Sequence, residues 1–122
     1  DDFYPGWGGL AEGARMVAND VLDPVAPGFW RWDWEQNRRS EWVPLVPGAD
    51  LVVEGVGAVT EASIRKAKAR GDVDTLRVIA PKEMRKARAL KRDPGYADWW
   101  DMWAEQEKLL PTLPVDVEVR RV

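Results

Sequence analysis

Apolar positions recur along this chain with two different periods, and the changes of period divide it into segments. From Leu10 to Leu22 the residues Leu10, Ala14, Val17 and Val21 recur at helical spacing, and Pro24 and Pro27 end the pattern. Phe29 to Trp34 alternates instead, which predicts a strand or extended segment with Trp30, Trp32 and Trp34 on one face and Arg31 and Asp33 on the other. Glu35 to Pro47 is polar apart from the short apolar piece Trp42 to Val46. Leu51-Val52-Val53 is a continuous apolar run ending in Glu54-Gly55, the pattern of a strand buried on both faces of a parallel sheet.

The second half of the chain is more regular. Thr60 to Arg70 predicts a helix that Gly71 stops. Thr75 to Ala80 predicts a strand. Pro81 suits the first turn of a helix running to about Arg92, where Asp93-Pro94-Gly95 breaks it. Ala97 to Leu110 predicts a further helix with Trp99, Trp103, Gln106 and Leu110 along one stripe. Val115, Val117 and Val119 alternate with Asp116, Glu118 and Arg120, as in an edge strand with one exposed face. Asp1 to Gly9 carries Pro5, Gly6, Gly8 and Gly9 and is expected to be a loop. Alternating strands and helices with buried strands predict an α/β fold with a parallel sheet, and 122 residues without a low-complexity linker predict a single domain, 1–122.

Composition narrows the chemistry. With neither Cys nor His, there is no disulfide, thiolate metal site or imidazole base, so acid–base work falls to carboxylates. A net charge of -3 argues against a long polyanion such as nucleic acid as partner, and no apolar run reaches membrane-spanning length. The simplest expectation is a cytoplasmic protein. Charge is unevenly spread, however: cations crowd Arg65 to Arg92, opposed only by Asp72, Asp74 and Glu83. Such a zone suits a small anionic ligand, or is an ordinary solvated helix face. The eight tryptophans are expected mostly to pack.

Four segments hold candidate chemistry. Asp1-Asp2-Phe3-Tyr4 sets carboxylates and a phenol at a loop. Glu54 ends an apolar run, where a carboxylate can hold Mg²⁺ or its water shell, or simply cap a neighbouring helix. Arg85, Arg88 and Arg92 share one helical face, and the guanidinium fork fits phosphate oxygens. In Trp32-Asp33-Trp34 an indole could stack a nucleobase, although core packing is the commoner role.

In this order the four segments resemble the uridine/cytidine kinase-like branch of the P-loop kinases, including divergent bacterial relatives with a DDFYPGW opening. The resemblance runs from Asp1 to about Leu110. It implies a parallel-sheet P-loop kinase-like fold and ATP-dependent phosphoryl transfer to a nucleoside, nucleotide or similar small hydroxyl acceptor, with ATP and Mg²⁺ as cofactors. It assigns Asp1 the role of base beside the acceptor hydroxyl. It places Tyr4, Trp32, Trp34 and Asn37 around the acceptor, Glu54 in the magnesium environment, and Arg85, Arg88 and Arg92 in a lid over the nucleotide phosphates. The nucleoside kinases carry Tyr, Phe and His where Trp and Asn stand here, which leaves the acceptor open.

No G-x-x-x-x-G-K-[ST] sequence occurs, so the strand–P-loop–helix unit that opens such a fold is missing. The chain also starts at Asp1-Asp2 without Met. Two expectations follow. Either these residues are the later part of a longer kinase, or they form a non-catalytic binding or assembly module derived from that fold. A homo-oligomer is compatible with both.

Overall fold

A computed structural model of the chain describes residues 1–114 and 116–122. It is a mixed α/β structure with two separate two-stranded sheets. Helix α1 spans Leu10–Met16 and passes without a break into a wider π turn over Val17–Val21, in which the Leu22 amide donates to the Val17 carbonyl at 3.0 Å. Strands β1 (Gly28–Asp33) and β2 (Arg38–Pro44) form an antiparallel hairpin. Helix α2 spans Glu61–Arg70, strand β3 Leu76–Ile79 and helix α3 Lys82–Arg92. A 3₁₀ segment, Pro94–Asp98, leads into helix α4, Trp100–Lys108, and strand β4 (Glu118–Arg121) returns to pair in parallel with β3.

Local signals explain the elements that match expectation. Thr60 caps α2 as part of a capping box: its hydroxyl accepts from the Ser63 amide while the Ser63 hydroxyl accepts from the Thr60 amide. Of the expected stripe, Trp103, Gln106 and Leu110 turn inward, whereas Trp99 stands before α4 as its N-cap and is exposed, and its neighbour Trp100 is the one buried. Trp103 is buried against Tyr4 and Leu10, and Leu110 packs on the same cluster. Gln106 is the polar member of the stripe. Its side chain accepts from the Leu10 amide at 3.3 Å and donates to the Trp7 carbonyl, which supplies a partner for an otherwise open amide at the start of α1.

Other expectations are corrected. Leu51-Val52-Val53 is irregular rather than a buried strand, and Val52 is 92% exposed. An apolar run becomes a buried strand only where neighbouring strands satisfy its amides and carbonyls; among the described residues none pairs with it. The parallel sheet is correspondingly small, two strands with β4 exposed throughout. The alternating valines near the C-terminus form no such strand as drawn: Val117 is buried in a turn before β4, and Val115 lies outside the described residues. Nor do Trp30, Trp32 and Trp34 share a face. The register slips by one residue between Trp30 and Trp32, and β1 ends at Asp33. Trp30 therefore packs across the hairpin on Trp42, with centroids 5.5 Å apart, while Trp34 falls in the connecting loop.

Among the described residues no helix is long and apolar enough to cross a membrane.

Candidate functional site

The first residues of the chain lie along the hairpin. The Trp32 amide donates to the Asp2 carbonyl at 2.7 Å, and the Trp34 indole N–H donates to the Asp1 carbonyl at 3.0 Å. These bonds bring Asp1 and the Trp32–Trp34 segment together across more than thirty positions of sequence. The hairpin loop holds its shape through Asp33, whose carboxylate accepts from the Glu35 and Gln36 amides at 3.0 Å each, and through Asn37, which adopts a left-handed φ of 52°. Gly6 fits beside Trp32 and Asn37: a Cβ there would lie 3.6 Å from Asn37 Oδ1 and 3.8 Å from Trp32 Cζ2. Asp1, Trp32, Trp34 and Asn37 are thus gathered at the loop end of the hairpin.

Trp7, which sequence reasoning passed over, is the centre of the aromatic packing here. Its ring lies 5.3 Å from Trp34, 4.8 Å from Tyr96 and 5.7 Å from Trp99, the last nearly parallel to it at 1°. Trp34 and Trp99 remain 39% and 41% exposed, so both offer ring area to solvent. Among the described residues the indole N–H of Trp32 is buried without a partner.

Tyr4 is placed differently from the other acceptor candidates. It is buried among Leu10 and Trp103, and its hydroxyl accepts from the Gly57 amide at 2.9 Å. A Cβ at Gly55 would lie 2.6 Å from that hydroxyl, so Tyr4 clamps the turn that follows Glu54. Burial pushes its phenol pKa above the ordinary value. The Gly57 bond opposes this, the Glu54 charge adds to it and Arg77 opposes it. Tyr4 supports the site from beneath.

Glu54 faces a second feature, a cleft of 950 Å³ bounded by segment 48–59, α2, β3, and the side chains of Arg85 and Glu107. That volume is in the range of small-molecule sites. Both Glu54 and Arg85 line it, together with Arg77, whose guanidinium donates to the Val56 carbonyl at 2.9 Å. Arg77 was hidden in the sequence as one polar position of a short strand. Arg88 and Arg92 do not line the cleft. They project from the exposed side of α3, and among the described residues neither makes an ion pair.

Arg85 is already engaged. Its Nη1 lies 2.9 Å from Glu107 Oε2, and its guanidinium stands 6.0 Å over the ring of buried Trp100. Tyr96 packs against Trp100 in the same cluster, and burial pushes its hydroxyl up to about 12, with Glu107 adding to the effect and Arg92 and Arg85 opposing it. Glu107 was not visible as a site residue. It is twenty-two positions from its partner, on a helix whose stripe pattern marks other residues.

The donor set fits magnesium in one way only. Among the described residues no three acidic side chains gather to hold a metal. Glu54 shares the cleft lining with Asp50, Asp72, Asp74 and Glu107, and because no three of these gather, a single carboxylate such as Glu54 suits an ion that arrives with phosphate oxygens and keeps most of its water, as Mg²⁺ does, and does not suit a free-standing metal site.

No protein family, curated protein or solved structure matches the chain.

Proposed function

We propose that these residues form the acceptor-binding and lid part of a P-loop kinase that transfers a phosphoryl group from ATP to a nucleoside, nucleotide or similar small hydroxyl compound. One observation carries the reading: Glu54, Arg77 and Arg85, distant in sequence, line a single cleft, together with the acids Asp50, Asp72, Asp74 and Glu107. Phosphoryl transfer depends on positioning and charge neutralisation more than on a strong base, which suits a chain without His or Cys. In this reading Arg77 and Arg85 meet phosphate oxygens, Glu54 accepts from the water shell of Mg²⁺, and Arg88 and Arg92 close from α3. Asp1 orients or deprotonates the acceptor hydroxyl. Trp34, Trp32 and Asn37 flank the acceptor, and Trp7 and Trp99 extend the aromatic surface on which a flat ring stacks. The reading requires a phosphate-binding loop from outside these residues, since none is present in them.

A second reading, a non-catalytic binding or assembly module, is favoured by one feature: Trp30 and Trp42 form an exposed aromatic pair on the hairpin, a contact surface with no part in the chemistry above. The deciding assay is ADP release by the natural protein with ATP, Mg²⁺ and a panel of nucleosides and nucleotides. The expected result is turnover with at least one acceptor. Asp1→Asn is expected to lower kcat by roughly 100-fold or more while the affinity for ATP stays within about twofold. Turnover unchanged in that variant removes Asp1 from the mechanism, and no turnover with any acceptor favours the binding module.

A further inference from the structure

The Arg85–Glu107 pair lines the proposed nucleotide cleft, and we infer that it is an exchange latch: Glu107 holds Arg85 until an incoming phosphate chain takes its place. This rests on the reading of the cleft as a phosphate site.

Four observations support it. Both side chains line the cleft, so a ligand there meets the pair directly. The pair is a single contact, Nη1 to Oε2 at 2.9 Å, rather than a bidentate fork, which leaves the remaining N–H groups of the guanidinium for a second acceptor. Its burial is lopsided: the Glu107 side chain is 16% exposed and the Arg85 side chain 39%, so the cation is the member that solvent and ligands reach. Finally, the pair joins α3 to α4, the two helices that carry the remaining lid cations and the aromatic stripe.

A phosphate chain carries more charge than one carboxylate and presents several oxygens to the fork, so it outcompetes Glu107 for Arg85. Without ligand, the same bond keeps Arg85 laid over Trp100 rather than loose in solvent. Glu107 is thus a positioning residue that sets how tightly the cleft holds phosphate.

The probe is sodium tripolyphosphate, titrated calorimetrically into the intact chain. Glu107→Gln is expected to bind at least tenfold more tightly than the parent, and Arg85→Ala at least tenfold more weakly. Glu107→Asp, which keeps the charge but draws it back by one methylene, should fall between parent and Glu107→Gln, and serves if the Gln variant folds poorly. Glu105→Gln, an exposed acid paired with Lys108 on the same helix, should stay within twofold of the parent. The decisive comparison is Arg85→Ala with Glu107→Gln, which should match Arg85→Ala alone. The latch is overturned if Glu107→Gln binds no better than the parent, if its gain persists without Arg85, or if no variant binds tripolyphosphate. Because the probe has no acceptor and transfers nothing, the kinase reading is judged separately: turnover with unchanged Glu107→Gln affinity sinks the latch alone, and tight exchange without turnover sinks the kinase alone.

Discussion

At the scale of single residues, the two tyrosines show how far packing has displaced side chains from the roles their sequence neighbourhood implies. Tyr4 follows two aspartates in an exposed-looking loop, yet its ring is buried and its oxygen accepts from Gly57. Tyr96 lies in a break between helices, yet it packs on Trp7 and Trp100. Both phenols have raised pKa values in the fold, Tyr96 reaching about 12 against an ordinary 10.0. The sign follows from proton counting. Above pH 10 the unfolded chain gives up these protons while the folded chain keeps them, so the folded state binds more protons and stability falls as pH rises. The contribution is fully present below pH 10 and is lost as pH climbs towards 12. The urea midpoint should therefore drop between pH 10 and pH 12, and Tyr96→Phe should make that drop shallower. An identical slope in the variant would mean that Tyr96 ionises in the fold as it does in the unfolded chain.

At the scale of elements, what could be read from sequence is what local chemistry fixes. Helix α2 has its cap in Thr60 and its stop in Gly71, and α3 begins after Pro81; these signals act within a turn of where they stand. The hairpin was legible only in hindsight, because its loop uses Asp33 and a left-handed Asn37 in place of the Asn-Gly or Asp-Gly that announces a tight turn. The 51–53 run misled because its apolar pattern describes a sheet that the described residues do not build around it. The site divides in the same way. Asp1, Trp34 and Asn37 come from motifs, whereas Trp7, Arg77, Gln106 and Glu107 gain their roles from contacts made far along the chain. The meeting of α1 with Tyr4 is one such contact and can be tested. Gly13 lies against the tyrosine ring so closely that a Cβ would stand 2.1 Å from Tyr4 Cδ1. In an open helix Gly→Ala stabilises by about 1 kcal/mol. Here overpacking should reverse the sign, and Gly13→Ala should cost about 1–3 kcal/mol by urea denaturation. In a Tyr4→Ala background the same change should become neutral or stabilising. A cost that survives removal of the ring would place the strain elsewhere.

At the scale of the whole molecule, exposed surface is the telling quantity. The chain presents 8519 Å², whereas a compact monomer of its mass presents about 6600 Å². Part of the excess is apolar and gathered at the cleft, where Leu51, Val52, Leu76 and Val78 are all exposed and all line its wall. Strand β3 has β4 along one edge and, among the described residues, no strand along the other. An open edge beside apolar side chains is a template for pairing with another chain. In the kinase reading this is the side on which further strands of the sheet would lie, so the same face that makes the cleft wide also leaves it unprotected. The chain of 122 residues should therefore self-associate as its concentration rises, and sedimentation velocity should show the shift. Val78→Lys puts a charge on that strand at a solvent-facing position, which discourages edge pairing without removing any buried contact. It should return the chain to a monomer with unchanged helical circular dichroism. If parent and variant associate equally, the contact surface is elsewhere, and the exposed Trp30–Trp42 pair on the hairpin becomes the next face to charge. If both are monomeric throughout, the cleft wall is hydrated rather than adhesive, and its width belongs to the chain itself.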